Sequence, residues 1–142
     1  MMVATEKRRK AAQLLLNFYK GRITNDQMDD AWPRDASDPA LMKVFWAKWG
    51  LYSDLREEHI RPKLRRSYPV AKVIHRCVVF LNSRLEYEWY GWPYPGTWAD
   101  RLVRQFSRKR RELYRAGNES VWPFYRAEDY KRAWKQMRNL SG

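Results

Sequence analysis

Histidine, cysteine and clustered carboxylates are the side chains best suited to acid–base, nucleophilic or metal chemistry, and this chain holds few of them. His59 and His75 are sixteen residues apart with no carboxylate at metal-ligand spacing. Arg56 stands three before His59, so the Glu-x-x-His unit of a helical di-iron site is missing, there is no His-Glu-x-x-His, and no metal is expected. Cys77, the single cysteine, can form no internal disulfide and falls on an apolar stripe, where a thiol is shielded rather than activated. Asp54 and Glu58 share a helix face four residues apart, beside Glu57 and His59, and form the one cluster resembling an acid–base site. The plainer reading pairs Glu57 and Glu58 with Arg61, Lys63, Arg65 or Arg66. Gly91 and Gly96 have the gap of a phosphate loop, but Thr97 stands in the place of its lysine and no strand precedes them. No Gly-x-Ser-x-Gly or dinucleotide fingerprint is present. These residues predict no catalytic centre and no cofactor; an enzyme would need a pocket that holds Asp54, Glu58 and His59 together.

The chemistry that is concentrated here is ionic and aromatic. The formal net charge is +13 and the pI about 10.1. Residues 1–58 carry ten Lys/Arg against nine Asp/Glu, residues 59–142 nineteen against seven, and nineteen of all the cations are arginine. A guanidinium fork suits bidentate contact with phosphate or carboxylate and stacking on rings, which favours an anionic partner. Arg101, Arg104, Arg108, Lys109, Arg110, Arg111 and Arg115 crowd one segment, opposed within it by Glu112 alone. Just before it, LEYEWYGWPYPGTW sets six rings around two prolines and two glycines. Trp89 and Trp98 are expected to fold inward as a lid on the core, and Tyr90, Trp92 and Tyr94 to remain as contact surface. Pro93 and Pro95 stiffen that part and lower the entropy lost on binding. Cations tracking phosphates beside rings that stack on bases are the combination expected of a single-strand binder, with the cations of residues 61–76 assisting. The alternative is a solvated helix face, partly paired with acids of the first half.

Nearly every element that would position these residues reads as helix. Ala11, Leu14, Leu15 and Phe18 form one stripe over residues 5–20, away from Lys7, Arg8, Arg9 and Lys10, with Gly21 as the stop. Thr24 and Gln27 make a capping box, with Ile23 and Met28 as a staple, for a short second helix that ends before Pro33. SDPAL restarts the chain, with Ser37 or Asp38 as cap and Pro39 at the first helical position. A third helix then runs to about His59, with Met42, Phe45, Trp46, Trp49, Tyr52 and Leu55 as its core stripe. RPKLRRSYP reads as a basic linker. VAKVIHRCVVFL is β-branched enough for a strand, but Val70, Val73, Ile74, Cys77, Val78 and Leu81 keep helical spacing, so a buried central helix is predicted from Ser67. Thr97 opens a fifth helix that Gly117 closes. A last helix has Glu128 and Asp129 in its first turn and Tyr130, Trp134 and Met137 inward.

The runs GRITNDQMDDAWP, SDPALMKVFWAKWGLYSDLREE and VWPF with AEDY downstream resemble a family of small, uncharacterised bacterial proteins over most of the chain. That resemblance implies a bacterial, soluble, mainly helical domain and transfers no catalytic residue; RLVRQFSRKRRELYR is not part of the pattern. At 142 residues, with 44% hydrophobic and 15% aromatic residues, the chain is expected to bury a core as one domain over residues 1–142, despite a mean hydropathy of -0.83. Asn17 and Lys20 interrupt AAQLLL well short of a secretory or membrane segment, so no membrane contact and a cytoplasmic location are expected. The resulting expectation is an all-α, compact bundle of five or six helices, with the aromatic Pro/Gly loop between helices four and five. It would be a non-enzymatic protein that binds nucleic acid, or alternatively an immunity or adaptor type of module that meets an acidic protein.

Overall fold

The computed structural model describes residues 3–48, 51–52, 55–89 and 117–141. Among these the fold is all-α, with six α-helices and no strand: α1 (Thr5–Tyr19), α2 (Asn25–Ala31), α3 (Pro39–Lys48), α4 (Pro62–Arg65), α5 (Tyr68–Leu81) and α6 (Ala127–Ser141), with a 3₁₀ turn at Glu119–Val121. The fifth helix expected between Thr97 and Gly117 falls outside the described residues. The β-branched run is indeed a helix, and α5 packs against α1, α3, α4 and α6 as the central element.

Local signals set most of the boundaries. Gly21 takes φ +75°, and the amides of Gly21 and Arg22 bond back to Phe18 and Asn17 in a Schellman ending of α1. Thr24 and Gln27 close the expected capping box on α2. Asp38 Oδ1 accepts from the Ala40 amide at the start of α3, and Ser67 Oγ accepts from Val70 at the start of α5.

Tertiary contacts overrule the sequence pattern at three places. Arg8, expected on the polar side of α1, is fully buried and bound to Asp38 in two hydrogen bonds of 2.7 and 2.9 Å. The third helix does not reach His59, because buried Asn25 holds residues 56–58 in a non-helical path. Its Nδ2 donates to Arg56 O, its Oδ1 accepts from Glu58 N, and its own amide bonds to Glu58 O. Leu55 is therefore 94% exposed; Trp46, within α3, is 40% exposed instead of core, and α3 buries Ala40, Leu41, Val44, Phe45 and Lys48; Trp49 lies outside the described residues. Finally, the basic linker contains α4.

The core joins Leu15 and Phe18 of α1, Leu41 and Val44 of α3, and the last two turns of α5 to Trp122 and Phe124. Tyr87 and Trp89 close it from the other side. Trp122 Nε1 donates to Tyr87 Oη at 2.9 Å and Trp89 Nε1 to Phe124 O at 3.1 Å, so the buried rings keep partners for their polar ends. Trp89 is thus the inward lid that the loop was expected to supply, whereas Trp98 falls outside the described residues. At Gly117 an added Cβ would lie 2.5 Å from the Tyr125 ring and 2.6 Å from Trp89. That glycine is there for the close approach of two rings.

Removing one partner of a fully buried ion pair leaves the other charge stranded, at a cost of about 3–5 kcal/mol. Arg8→Met is expected to lower the urea-unfolding free energy by that amount, whereas Lys7→Met, which breaks the exposed 3.2 Å pair with Asp35, changes it little. Equal losses in the two variants would contradict this account of the fold.

Candidate nucleic-acid interface

The binding residues expected first, Arg101, Arg104, Arg108, Lys109, Arg110, Arg111 and Arg115 with Tyr90, Trp92 and Tyr94, lie outside the described residues. The assisting cations of residues 61–76 lie within them, and most are exposed. Pro62 starts α4 behind an extended Arg61, and the amides of Leu64 and Arg65 bond back to Arg61 O. Leu64 turns to the core, and Tyr19 Oη donates to Arg65 O at 3.0 Å, which ties the end of α4 to α1. With Leu64 inward, Lys63, Arg65 and Arg66 are exposed around it.

Tyr68 follows at once and is 69% exposed. One turn on, Lys72 sets its Nζ 4.5 Å from the centre of that ring, the neighbour relation that i,i+4 spacing provides. Among the described residues no carboxylate pairs with Lys63, Arg65, Arg66 or Lys72. Glu58 is engaged by Arg61 at 3.3 Å and Arg56 at 3.4 Å. Arg76 departs from the expected surface: it is half-buried and donates to Trp122 O at 2.9 Å, so it holds the fold together. Tyr68 was the ring not singled out in the sequence, although the Tyr68/Lys72 spacing beside Lys63, Arg65 and Arg66 marks it.

Several of the described groups able to do bond-making chemistry have structural partners. Glu58 makes the expected ion pair with Arg61 and another with Arg56, which was not among the expected partners; Glu57, expected to pair likewise, instead accepts from Thr24 Oγ1 at 2.9 Å, and His59 is exposed. Asp54 lies outside the described residues, and among those described no three His, Cys, Asp or Glu side chains are grouped to hold a metal. Desolvation, and after it the negative charge of Glu57, raises the Asp26 carboxyl above its ordinary range. His75 stands between the rings of Trp134, 4.4 Å away, and Tyr130, 6.2 Å away, the boundary histidine expected. Partial burial, then the charge of Arg76, lowers its pKa. Burial pushes the Cys77 thiol up to about 12.

No protein-family model, curated protein or solved structure matches the chain. Among the described residues no helix is long and apolar enough to cross a membrane.

Two outcomes follow from these environments. A thiol reagent is expected to label Cys77 in the native protein only at the rate of unfolding, and at once in concentrated guanidinium; fast native labelling would contradict its burial. His75, with its folded pKa below the ordinary value of 6.5, favours the neutral form in the fold. The stability it lends is present above 6.5 and is lost as pH falls through the folded value. Urea midpoints should therefore drop as pH is lowered from about 6.5 to 5, and His75→Phe should flatten that drop; an unchanged slope in the variant would remove His75 as its source.

Proposed function

We propose that this protein is a non-enzymatic nucleic-acid binder. Its cations contact phosphates while exposed rings stack on bases, and single strands are the preferred form. The observation that carries the reading is the 69%-exposed Tyr68 ring with Lys72 Nζ 4.5 Å from its centre, directly after the exposed Lys63, Arg65 and Arg66 in the chain, cations with no carboxylate partner among the described residues. Clustered exposed cations repel one another unless screened or neutralised, and a phosphate backbone supplies the missing charge at the spacing of a polyanion. Arg101, Arg104, Arg108, Lys109, Arg110, Arg111 and Arg115, with Tyr90, Trp92 and Tyr94, extend the same chemistry along the sequence. A bacterial, cytoplasmic setting belongs to this proposal and fits a chain whose one thiol is buried and unpaired.

A second reading has the same surface meeting an acidic protein, since an exposed tyrosine among arginines is also the composition of an interface hot spot. Salt separates the two. Nucleic-acid affinity falls log-linearly with salt, whereas an interface with a buried aromatic anchor loses on-rate first.

The test is fluorescence anisotropy with single-stranded and duplex DNA and RNA at two salt concentrations. Tyr68→Ala is expected to weaken single-strand binding by about 1–3 kcal/mol. Arg65→Ala with Arg66→Ala should reduce the log–log salt slope by about 1.4, at about 0.7 per lost phosphate contact on a single strand. Replacing Arg108, Lys109, Arg110 and Arg111 by Ala tests the sequence-defined cluster separately. Absence of binding at low salt would overturn the proposal.

A further inference from the structure

A second surface, at the other end of α5, has different chemistry. Two adjoining hollows of about 290 and 270 Å³ open between the C-terminal end of α5, the turn after it, and α6, and they share Ser83, Ala133 and Gln136. Their apolar linings come from Val79, Leu85, Ala133 and Met137, and Leu140 stands 90% exposed at one mouth. Among the described lining residues are three arginines from three separate elements, Arg9 of α1, Arg84 of the turn and Arg132 of α6, and one carboxylate, Asp129 of α6. Arg84 has no ion pair among the described residues. Arg9 meets the exposed Glu6 at 3.3 Å, and Arg132 lies 3.9 Å from Asp129, which Arg126 shares at 3.6 Å. Positive charge exceeds negative around the cleft, and these weak pairs are readily exchanged for a better carboxylate.

The polar groups between the hollows narrow the occupant further. Ser83 Oγ is committed to Phe80 O and the Leu85 amide. Asn82 donates to Val78 O, which leaves its Oδ1 as an acceptor, and Gln136 makes no hydrogen bond among the described residues. Together these side chains offer the Gln136 amide group, the second N–H of Asn82 and two carbonyl acceptors, a mix of donors and acceptors that a peptide backbone satisfies. Among the described residues no aromatic side chain lines either hollow, so these residues offer a nucleobase no ring to stack on, unlike Tyr68. Adjoining apolar hollows receive side chains two apart on one edge of an extended chain.

We infer that this cleft binds an acidic, aliphatic segment of a partner protein in extended form, with its carboxylates on Arg9, Arg84 and Arg132 and its aliphatic side chains in the two hollows. The inference is independent of nucleic-acid binding. The fourteen residues of α5 separate the cleft from Tyr68 by about 20 Å at 1.5 Å per residue.

The probe is a fluorescein-labelled decapeptide that alternates glutamate and leucine, with glutamate–serine and lysine–leucine peptides and a thymidine decanucleotide for comparison. The native protein should bind the glutamate–leucine peptide saturably and the other two peptides at least about tenfold more weakly. Gln136→Trp, an outward change that fills the junction of the hollows, and Arg84→Ala with Arg132→Ala should each weaken binding about tenfold, with an unchanged helical circular-dichroism spectrum. Arg65→Ala with Arg66→Ala should leave it unchanged. No saturable binding, equal binding of the glutamate–serine peptide, or full affinity in the Gln136→Trp variant would overturn the inference. So would competition by the oligonucleotide that is lost with Arg84 and Arg132, which would instead make the cleft part of the nucleic-acid surface.

Discussion

The fold hangs on the ion pair between Arg8 and Asp38, both side chains wholly out of solvent. Two charges removed from water must recover their hydration from neighbours, and here four elements supply it. Arg8 makes a fork to both oxygens of Asp38, donates from Nη1 to Leu85 O at 2.6 Å, and lays its guanidinium 5.1 Å from the Phe80 ring centre on α5. Asp38 also accepts from the amides of Ala4 and Ala40. The start of α1, the start of α3, the turn after α5 and α5 itself are thereby fixed to one point. An apolar substitute could fill the volume but could not satisfy the Leu85 carbonyl and the two amides, so the pair defines register as well as contributing contact.

The same logic recurs at Lys48, and it explains why the charge pattern of the sequence misleads about α3. Lys48 is buried, hydrogen-bonded to Asp29 and to Tyr52 Oη, with its Nζ 3.9 Å from the centre of the Phe45 ring and 5.0 Å from Trp32. Tyr52 completes the circuit by donating to Asp29. A periodicity argument treats lysine as outward and large rings as inward. Here the lysine is buried against Trp32 and Phe45 and meets a half-buried Asp29 and Tyr52 at the edge, and the helix turns Trp46 outward instead. Buried cations with distant partners leave no local trace: Arg8 and Asp38 are thirty residues apart, and Lys48 and Asp29 nineteen. What was legible were the features encoded by near neighbours. The Thr24–Gln27 box, the Gly21 ending, Ser67 before Pro69 and the apolar face of α5 all rest on spacings of five residues or fewer, and each is present.

The aromatic segment was half legible for a related reason. That Trp89 turns inward follows from its type and from the need of an indole N–H for a partner, which Phe124 O supplies. Its seat could not be read from the segment, because it is built by Gly117 and Tyr125 far along the chain. Tyr68 shows the converse. Its exposure depends on α4, a single helical turn within what reads as linker, whose Leu64 takes the inward position and leaves the ring and its cations outside.

Internal pairing also decides where the net charge can act. In the near-neutral first part of the chain the carboxylates of Asp29, Asp35, Asp38 and Glu58 are each held by a cation of the fold or of its immediate edge. Among the described residues, Glu58 alone of these four reaches a cation of the second part, Arg61. Arg76 is withdrawn into a backbone contact and Arg126 into pairs with Glu88 and Asp129, which raise its pKa, the Glu88 hydrogen bond foremost. Lys63, Arg65, Arg66 and Lys72 at one end of α5, and Arg84 at the other, are left outside this accounting. A positive excess that the fold does not consume is concentrated at sites that packing exposes. Among the described residues, the ends of the central helix are thus where the two proposed binding surfaces lie, one with an exposed ring at Tyr68 and one with an aliphatic cleft at Arg84.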